Sequence, residues 1–545
     1  MNLGRVRRKN TIAEPRRSLR DFPFTEASFT RLFPSLSLSH TQSDSIEHYP
    51  DQVRYFWHYL HELTCSHFVQ ESYYYDRDFL EDFGAIYSRS TAQIRNHCVR
   101  IHFFAQARNR LQLTGSKSHL KELRKRIQEA DPKLREKLYF EASAEIQNSY
   151  LGFMVLRPLP LAPIGRTVLR AYSRRDLHGE QDRRDVLLLR SSVEYRVHYA
   201  GFRLIARGVA FQQQDRGSAA CATTAIWSVL NSLGLRNIPP VEITRLANRY
   251  GSSPMGRTLP SEGLVLRQMI EAFRGVSLEC FPHMHEDIST TLAYLHLAVR
   301  SRLPAVAIVT SDRHTESHAV AILGGRERID GQVAFKLRPD TRTRAGRLTS
   351  VYIHDDRLGP YVRADLHSDG DRLGLRLRRR WRVEDEELWI TDLIFPLFPE
   401  IRTSLPWLLE TSKRIVPHVR WWLRHVYPTG RRRRDTLTYD IRIVRGADYP
   451  KQLLIEDGCS HDVVRMTCDY LTLSRFVAVT RLYLREAPIV DVVQDTTGTT
   501  MHRRDPVVVP VGADRAACIE MALFIREWVL TGKLERTRRD LEAAS

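Results

Sequence analysis

One cysteine stands where a nucleophile would. The stretch from Phe211 to Leu233 reads FQQQDRGSAACATTAIWSVLNSL. In it, Cys221 closes a polar loop and opens a run where Ile226, Val229, Leu230 and Leu233 recur at helical spacing. Gly234 follows as a C-terminal cap. The spacing predicts a buried helix with Cys221 in its first turn. Free N–H groups and partial positive charge at a helix N-terminus favour thiolate over thiol, which makes a cysteine nucleophilic near neutral pH. A thiol nucleophile also needs a base, a group that fixes the base, and donors for the oxyanion. His318 lies in the apolar run SHAVAILG, where a strand would hold its ring while the preceding loop keeps it accessible. Asp355 and Asp356 end the run SVYIHDD. If that strand neighbours SHAVAILG, one of these carboxylates accepts the imidazole N–H. Asp355 is preferred, because Asp356 reads as the start of a turn with Arg357, Leu358 and Gly359. Gln213 or Gln214, just upstream of the cysteine, would donate an amide N–H to the oxyanion beside the backbone N–H of Cys221.

The elements that must bring these residues together follow the hydrophobic periodicity. Residues 1–48 are rich in Arg, Ser and Pro and read as a poorly ordered basic arm. Residues 49–148 read as helical, with Phe56, Tyr59, Leu60 and Leu63 on one stripe. From 149 to 384 the pattern turns to strands (LGFMVLRPL, TVLRAYS, YRVHYAG, FRLIARG), then to the Cys221 helix. Further helices follow near Leu264 and Leu292, and then the strands LPAVAIV, SHAVAILG, VAFKLRP and SVYIHDD. The order, helices and then an antiparallel sheet, is an α+β arrangement. Residues 385–545 read as a separate α/β module, opened by a basic helix over Ser404–Tyr427 that carries Trp421 and Trp422.

Taken in order, Gln, a Cys opening a helix, a His in an S-H-A-V strand and an Asp at a later strand end resemble the papain-like cysteine peptidases. The likeness covers about Phe211 to Tyr361 and is greatest to the bacterial branch that includes the leader peptidases of bacteriocin exporters. It implies a helical lobe against an antiparallel sheet, and peptide-bond hydrolysis through an acyl-thioester on Cys221, with His318 as base. Within that chemistry, an amine attacking in place of water would give an acyltransferase, transglutaminase or deamidase. This chain departs from the family's commonest pattern at three points. Asp215 stands six residues before the cysteine, where the glutamine is usual, so a loop one residue longer is needed to bring Gln214 into place. Ala222 replaces the familiar glycine, and the long His-to-Asp interval requires an extra strand and loop over 325–350.

Composition bounds the remaining possibilities. A length of 545 residues predicts two to four domains, and 42% hydrophobic residues an ordinary globular chain. The net charge of +19 favours acidic partners, although acidic residues are interleaved throughout. The run Arg431 to Arg434 reads as a solvated loop that could meet nucleic acid or an anionic surface. A non-catalytic, peptidase-like module with a basic face for nucleic acid is therefore the reading from a different class. The cysteines (65, 98, 221, 280, 459, 468 and 518) are odd in number and unpaired in spacing, unlike a disulfide framework or zinc ribbon. Cys280, His283 and His285 make a C-x2-H-x-H cluster without a partner pair, so no metal is expected. No phosphate loop, Rossmann fingerprint, GxSxG or HExxH occurs, and no cofactor is expected. No apolar run suits a membrane span or a secretory signal, which predicts a soluble, cytoplasmic protein acting on peptides or proteins.

Overall fold

The computed structural model describes residues 18–529 apart from 39–43, 90–92, 106–113, 172–185, 191, 216, 218–219, 250–262, 329–332, 336–341, 380, 383, 426–436, 456–458, 460, 471–474, 485, 498–505 and 513–514. The chain is α+β and divides into two units: residues up to 171 with 194–215, and 172–193 with 216 onward.

In the first unit, β1 (Leu19–Pro23), β2 (Cys65–Tyr74), β3 (Cys98–Ala105), β4 (Tyr150–Leu156) and β5 (Ile164–Leu169) form an antiparallel sheet in chain order. Helices α1 (Glu26–Thr30) and α2 (Asp51–Glu62) join β1 to β2, α3 (Arg77–Ala85) joins β2 to β3, and α4 (Lys117–Glu129) and α5 (Pro132–Ser149) join β3 to β4. The last three begin on side-chain caps: Asp76 accepts from the Phe79 N–H, Ser116 from His119 and Asp131 from Lys133. β6 (Val186–Arg190) belongs to the second unit. The strands β7 (Val193–Tyr199) and β8 (Phe202–Gly208) make a hairpin with strictly alternating burial over most of its length. Its two turn residues, Ala200 and Gly201, have φ of 51° and 95°, the positive-φ pair that a tight hairpin turn demands.

Two expectations are corrected here. Of the supposed unordered arm, residues 19–23 are a strand, paired from Leu19↔Glu71 to Pro23↔His67. Residues 49–148 are not all helical, because β2 and β3 lie within them. Their sequences, CSHFVQESYY and CVRIHFFA, are rich in aromatic and β-branched residues. Pairing with β1 and β4, distant in sequence, overrides the local helical reading.

The second unit is built on a closed barrel. β10 (Ala305–Ser311), β11 (His314–Arg328), β12 (Leu348–Asp355), β13 (Gly359–Asp369), β14 (Arg372–Leu377) and β15 (Glu386–Leu397) pair in chain order, and β15 returns to pair with β10. Closure leaves none of these six strands with a free edge along its whole length. Register shifts within β11 and β12, at Ile322/Gly324 and Ile353/Asp355, supply the local bends that closure needs. β9 (Glu279–Met284) adds to β15, and β6 to the far half of β11. Helices α6 (Cys221–Ser232), α7 (Pro240–Ala247), α8 (Leu266–Gly275) and α9 (Ile288–Ser301) surround the barrel, with α6 packed on β11. Every residue of α6 from Ala222 to Asn231 is buried. Burying Ile226, Val229 and Leu230 stabilises this packing by about 1.5–3 kcal/mol each, an upper bound.

The boundary expected at 385 falls just before β15, whose pairing closes the barrel. The C-terminal elements belong to the same unit: α10 (Leu405–His425), β16 (Leu437–Arg445), α11 (Tyr449–Ile455), α12 (His461–Tyr470), β17 (Phe476–Leu484), β18 (Ala487–Asp495), β19 (Val507–Pro510) and α13 (Arg515–Phe524). β16 to β19 form an antiparallel sheet in chain order. Helix α9 joins it to the barrel, with Arg300 Nη2 2.9 Å from Asp440 Oδ2 and Ser301 Oγ accepting from the Ile443 N–H at 2.8 Å. Likewise the strands over 151–208, read as leading into the Cys221 helix, are divided between the units. Among the described residues, no helix is long and apolar enough to cross a membrane.

Candidate active site

Cys221 is the first residue of α6. Ala220 before it is extended and offers no side-chain cap, and the helical ladder starts at the Thr224 N–H, which donates to Ala220 O at 3.0 Å. The N–H groups of Cys221, Ala222 and Thr223 thus have no acceptor within the helix. Cys221 is half-buried, while the turns behind it are sealed in the core. The Thr223 hydroxyl, 3.1 Å from that of Thr244, ties this end of α6 to α7.

His318 comes from β11, opposite Val309 of β10. The register Ala321↔His354 and Ile322↔Ile353, carried one residue further, sets Asp355 opposite Val320. That makes Asp355 the diagonal neighbour of His318 on one face of the sheet, within reach of a long side chain. His318 Nε2 lies 3.0 Å from Asp355 Oδ1 and 3.5 Å from Asp356 Oδ1. The Cys221 thiol lies beside the same ring and helps to hold its proton. The thiol, the imidazole and both aspartates expected from the sequence are therefore neighbours.

The electrostatics follow from this packing. Burial by itself would push the imidazole pKa down, but Asp355, with help from Cys221 and Asp356, pulls it up to about 10. Burial would raise Asp355, yet the Arg357 guanidinium and His318 hold its carboxyl far below the usual carboxylate range. Burial pushes Asp356 up to about 6, with His318 opposing and the charge on Asp355 reinforcing the rise. So Asp355 is the permanently ionised partner and Asp356 the titrating one.

Arg357 carries a part that its place in a turn did not suggest. Its N–H and Nε donate to Asp355 Oδ1 at 3.0 and 3.2 Å, and its Nη2 donates to Oδ2 at 3.0 Å. Leu358 N–H donates to Asp355 O at 2.9 Å, so both ends of Asp355 build the turn between β12 and β13. Adjacent Asp and Arg at a strand end were the only signal of this pairing in the sequence, and a charged turn gives the same signal.

The glutamines belong to the first unit. Gln213 is tied to β5 and the segment before it: Ile164 N–H donates to its Oε1 at 3.2 Å, and its Nε2 donates to Leu161 O at 3.5 Å. Its amide is thus engaged with backbone on both sides. Gln214 is half-buried, and Gln212, buried to 2% exposure, has an Nε2 without a hydrogen-bond partner among the described residues. The side chain of Asp215, six residues before Cys221, is buried with its Oδ2 3.6 Å from Arg157 Nη1.

His318, Asp355 and Asp356 bring potential metal-ligand atoms within 4.8 Å of one another. The Arg357 guanidinium on Asp355 already puts positive charge where a cation would need the carboxylate, so the trio suits a proton better than a metal. Cys280 and His283 sit three apart on β9 and so face opposite sides of it, while His283 Nε2 and His285 Nδ1 both meet the Thr291 hydroxyl, at 3.0 and 2.8 Å. That is a hydrogen-bonded cluster. Arg431 to Arg434 lie outside the described residues, as do residues 336–339 of the strand expected at VAFKLRP.

The arrangement can take a proton from a thiol, keep it on an imidazole held by a carboxylate, and return it to a leaving group. The sequence matches no protein-family model and no curated protein.

Proposed function

We propose that the protein is a cysteine hydrolase that cleaves amide bonds in peptides or proteins by way of an acyl-thioester on Cys221. The observation that carries this reading is a single imidazole, His318, hydrogen-bonded to the buried Asp355 carboxylate, with the Cys221 thiol beside it. A nucleophile helix packed on an antiparallel barrel that bears the histidine also supports the papain-like likeness.

The thiol proton passes to His318 and Sγ attacks the substrate carbonyl carbon. The backbone N–H of Cys221 donates to the oxyanion that forms. His318 then protonates the departing amine as the C–N bond breaks, leaving the acyl-thioester. Water attacks its carbonyl carbon, giving a proton to His318, and the C–S bond breaks to release a carboxylic acid and the thiol. Among the described residues, cysteines 65, 98, 221 and 280 form no disulfide, which fits a working thiol in a reducing compartment.

Iodoacetamide at pH 6–7 should alkylate Cys221 fastest, and a peptide mixture in H2(18)O should give new C-termini carrying one heavy oxygen. The Cys221→Ala and His318→Ala proteins should yield none. Labelling of Cys221 no faster than that of a model thiol, with His318→Ala unchanged from wild type, would sink the proposal.

A further inference from the structure

We infer that Arg357 is a positioning residue for the proposed hydrolase, clamping Asp355 against His318 and offsetting the second buried carboxylate so that the imidazole can carry the thiol's proton. This rests on the reading of Cys221 and His318 as the reacting pair.

The geometry of the clamp is two-sided. Nε and Nη2 take both oxygens of Asp355, a bidentate arrangement that fixes the carboxylate plane as well as its charge. Nη1 reaches across the barrel rim to Glu386 Oε1 at 3.2 Å, and Arg379 Nη2 holds Glu386 Oε2 at 3.0 Å. The guanidinium therefore braces the β12–β13 turn against the start of β15. Asp355 is fully buried, whereas the Arg357 side chain is one-third exposed, so the charge that orders the buried carboxylate comes from the surface side.

The charges explain why such a clamp is needed. His318 is faced by Asp355 and Asp356 from the end of β12, by Cys221 from α6, by apolar Val309 from β10, and at one remove by Arg357, Glu386 and Arg379. Two buried carboxylates beside one imidazolium leave an excess negative charge, which is costly in a poorly solvated site. Arg357 cancels it. Without that cation the cluster would bind a further proton more readily, and every deprotonation in it, the thiol's included, would need a higher pH. The backbone N–H of Arg357 still reaches Asp355 Oδ1 whatever side chain follows, so substitution reports on the guanidinium alone.

The test is the pH dependence of Cys221 alkylation by iodoacetamide in the full-length protein. An opposite charge within a few ångströms moves a midpoint by about 1–3 units. Arg357→Gln should raise the midpoint by about one unit and slow alkylation at pH 6 about tenfold. Arg357→Lys, which keeps the charge without the fork, should restore most of the midpoint. Glu386→Gln removes an anion and should leave the midpoint at or below the wild-type value. If Arg357→Gln does not fold, an Arg357→Lys midpoint between wild type and the wild type plus one unit supports the clamp. A melting temperature that falls in Arg357→Gln with the midpoint unmoved overturns it, as a merely structural brace would do that; where only Arg357→Lys folds, a midpoint outside that range overturns it. If His318→Ala slows alkylation but Arg357→Gln does not, only this inference falls; if His318→Ala has no effect, the hydrolase reading falls with it.

Discussion

In the first unit, Glu71 accepts hydrogen bonds from Arg100 Nε at 2.8 Å and from His102 Nε2 at 3.4 Å. In the second, Asp355 accepts from Arg357 Nε at 3.2 Å and from His318 Nε2 at 3.0 Å. Each cluster is a buried carboxylate shared by an arginine and a histidine, yet the two rings are held in opposite charge states. Burial, helped by the Arg100 charge, takes His102 down to about 4 despite Glu71, whereas His318 is pulled up to about 10. The neighbours differ in charge: Asp355 does most to raise His318 and Cys221 and Asp356 add to it, whereas at His102 the Arg100 charge works against Glu71. His102 Nδ1 meets the Tyr150 hydroxyl at 3.0 Å, a neutral partner that repays little of the desolvation of a cation. His318 has a second carboxylate, Asp356, and a thiol able to give up a proton. A histidine–carboxylate–arginine trio by itself is a structural strut; in the proposed hydrolase the extra acid and nucleophile would make it a proton carrier.

That contrast can be broken by experiment. Removing His318 or Cys221 should abolish peptide cleavage, a loss of about 10³-fold or more, while His102→Gln should leave it within about twofold if the protein folds. Turnover of a peptide substrate decides this. Asp355→Asn should cost about 10²-fold or more in kcat, because the ring loses both its orientation and its counter-charge. Alkylation rates at matched pH give the next test: Cys221 should react about 100-fold faster than Cys280, whose thiol burial pushes up to about 12. Peptide mapping by mass spectrometry resolves the two sites.

The stability curves should bend in opposite directions. The folded pKa of His318 lies above its unfolded value of about 6.5, so its contribution is complete below pH 6.5 and is lost as pH rises towards about 10. His102 lies below its unfolded value, so folding is favoured fully above pH 6.5 and loses ground as pH falls towards about 4. Each corresponds to a slope of about 1.4 kcal/mol per pH unit for one proton within its window. Thermal melts of His318→Gln should therefore converge on wild type between pH 7 and 10, and His102→Gln should lose the wild type's acid sensitivity between pH 6.5 and 4. Parallel curves for both variants would remove the distinction between strut and proton carrier.

Much of the second unit was legible before any coordinates. Cys221 at a helix start, the strands around His318 and the aspartates at a strand end each leave a local trace, since apolar periodicity and turn residues act over a few neighbours. β2 and β3 left only a compositional trace, their aromatic and β-branched residues, and their pairing with β1 and β4 is non-local. The sequence reads as a new module from 385, yet β15 starts at Glu386 and completes the barrel through its pairing with β10, distant in sequence. The ties of Gln213 to Leu161 and Ile164, and of Arg357 to Glu386, likewise join residues that nothing nearby in the chain connects.

By itself, then, the sequence determined which residue types were available for chemistry and on which local element each would sit. It could not determine their charge. Whether a histidine carries a proton depends on what surrounds it after water is removed, and His102 and His318 are indistinguishable until the fold gives one a tyrosine and the other a second carboxylate and a thiol. Desolvation and close charges act through space, and only the tertiary structure sets those distances.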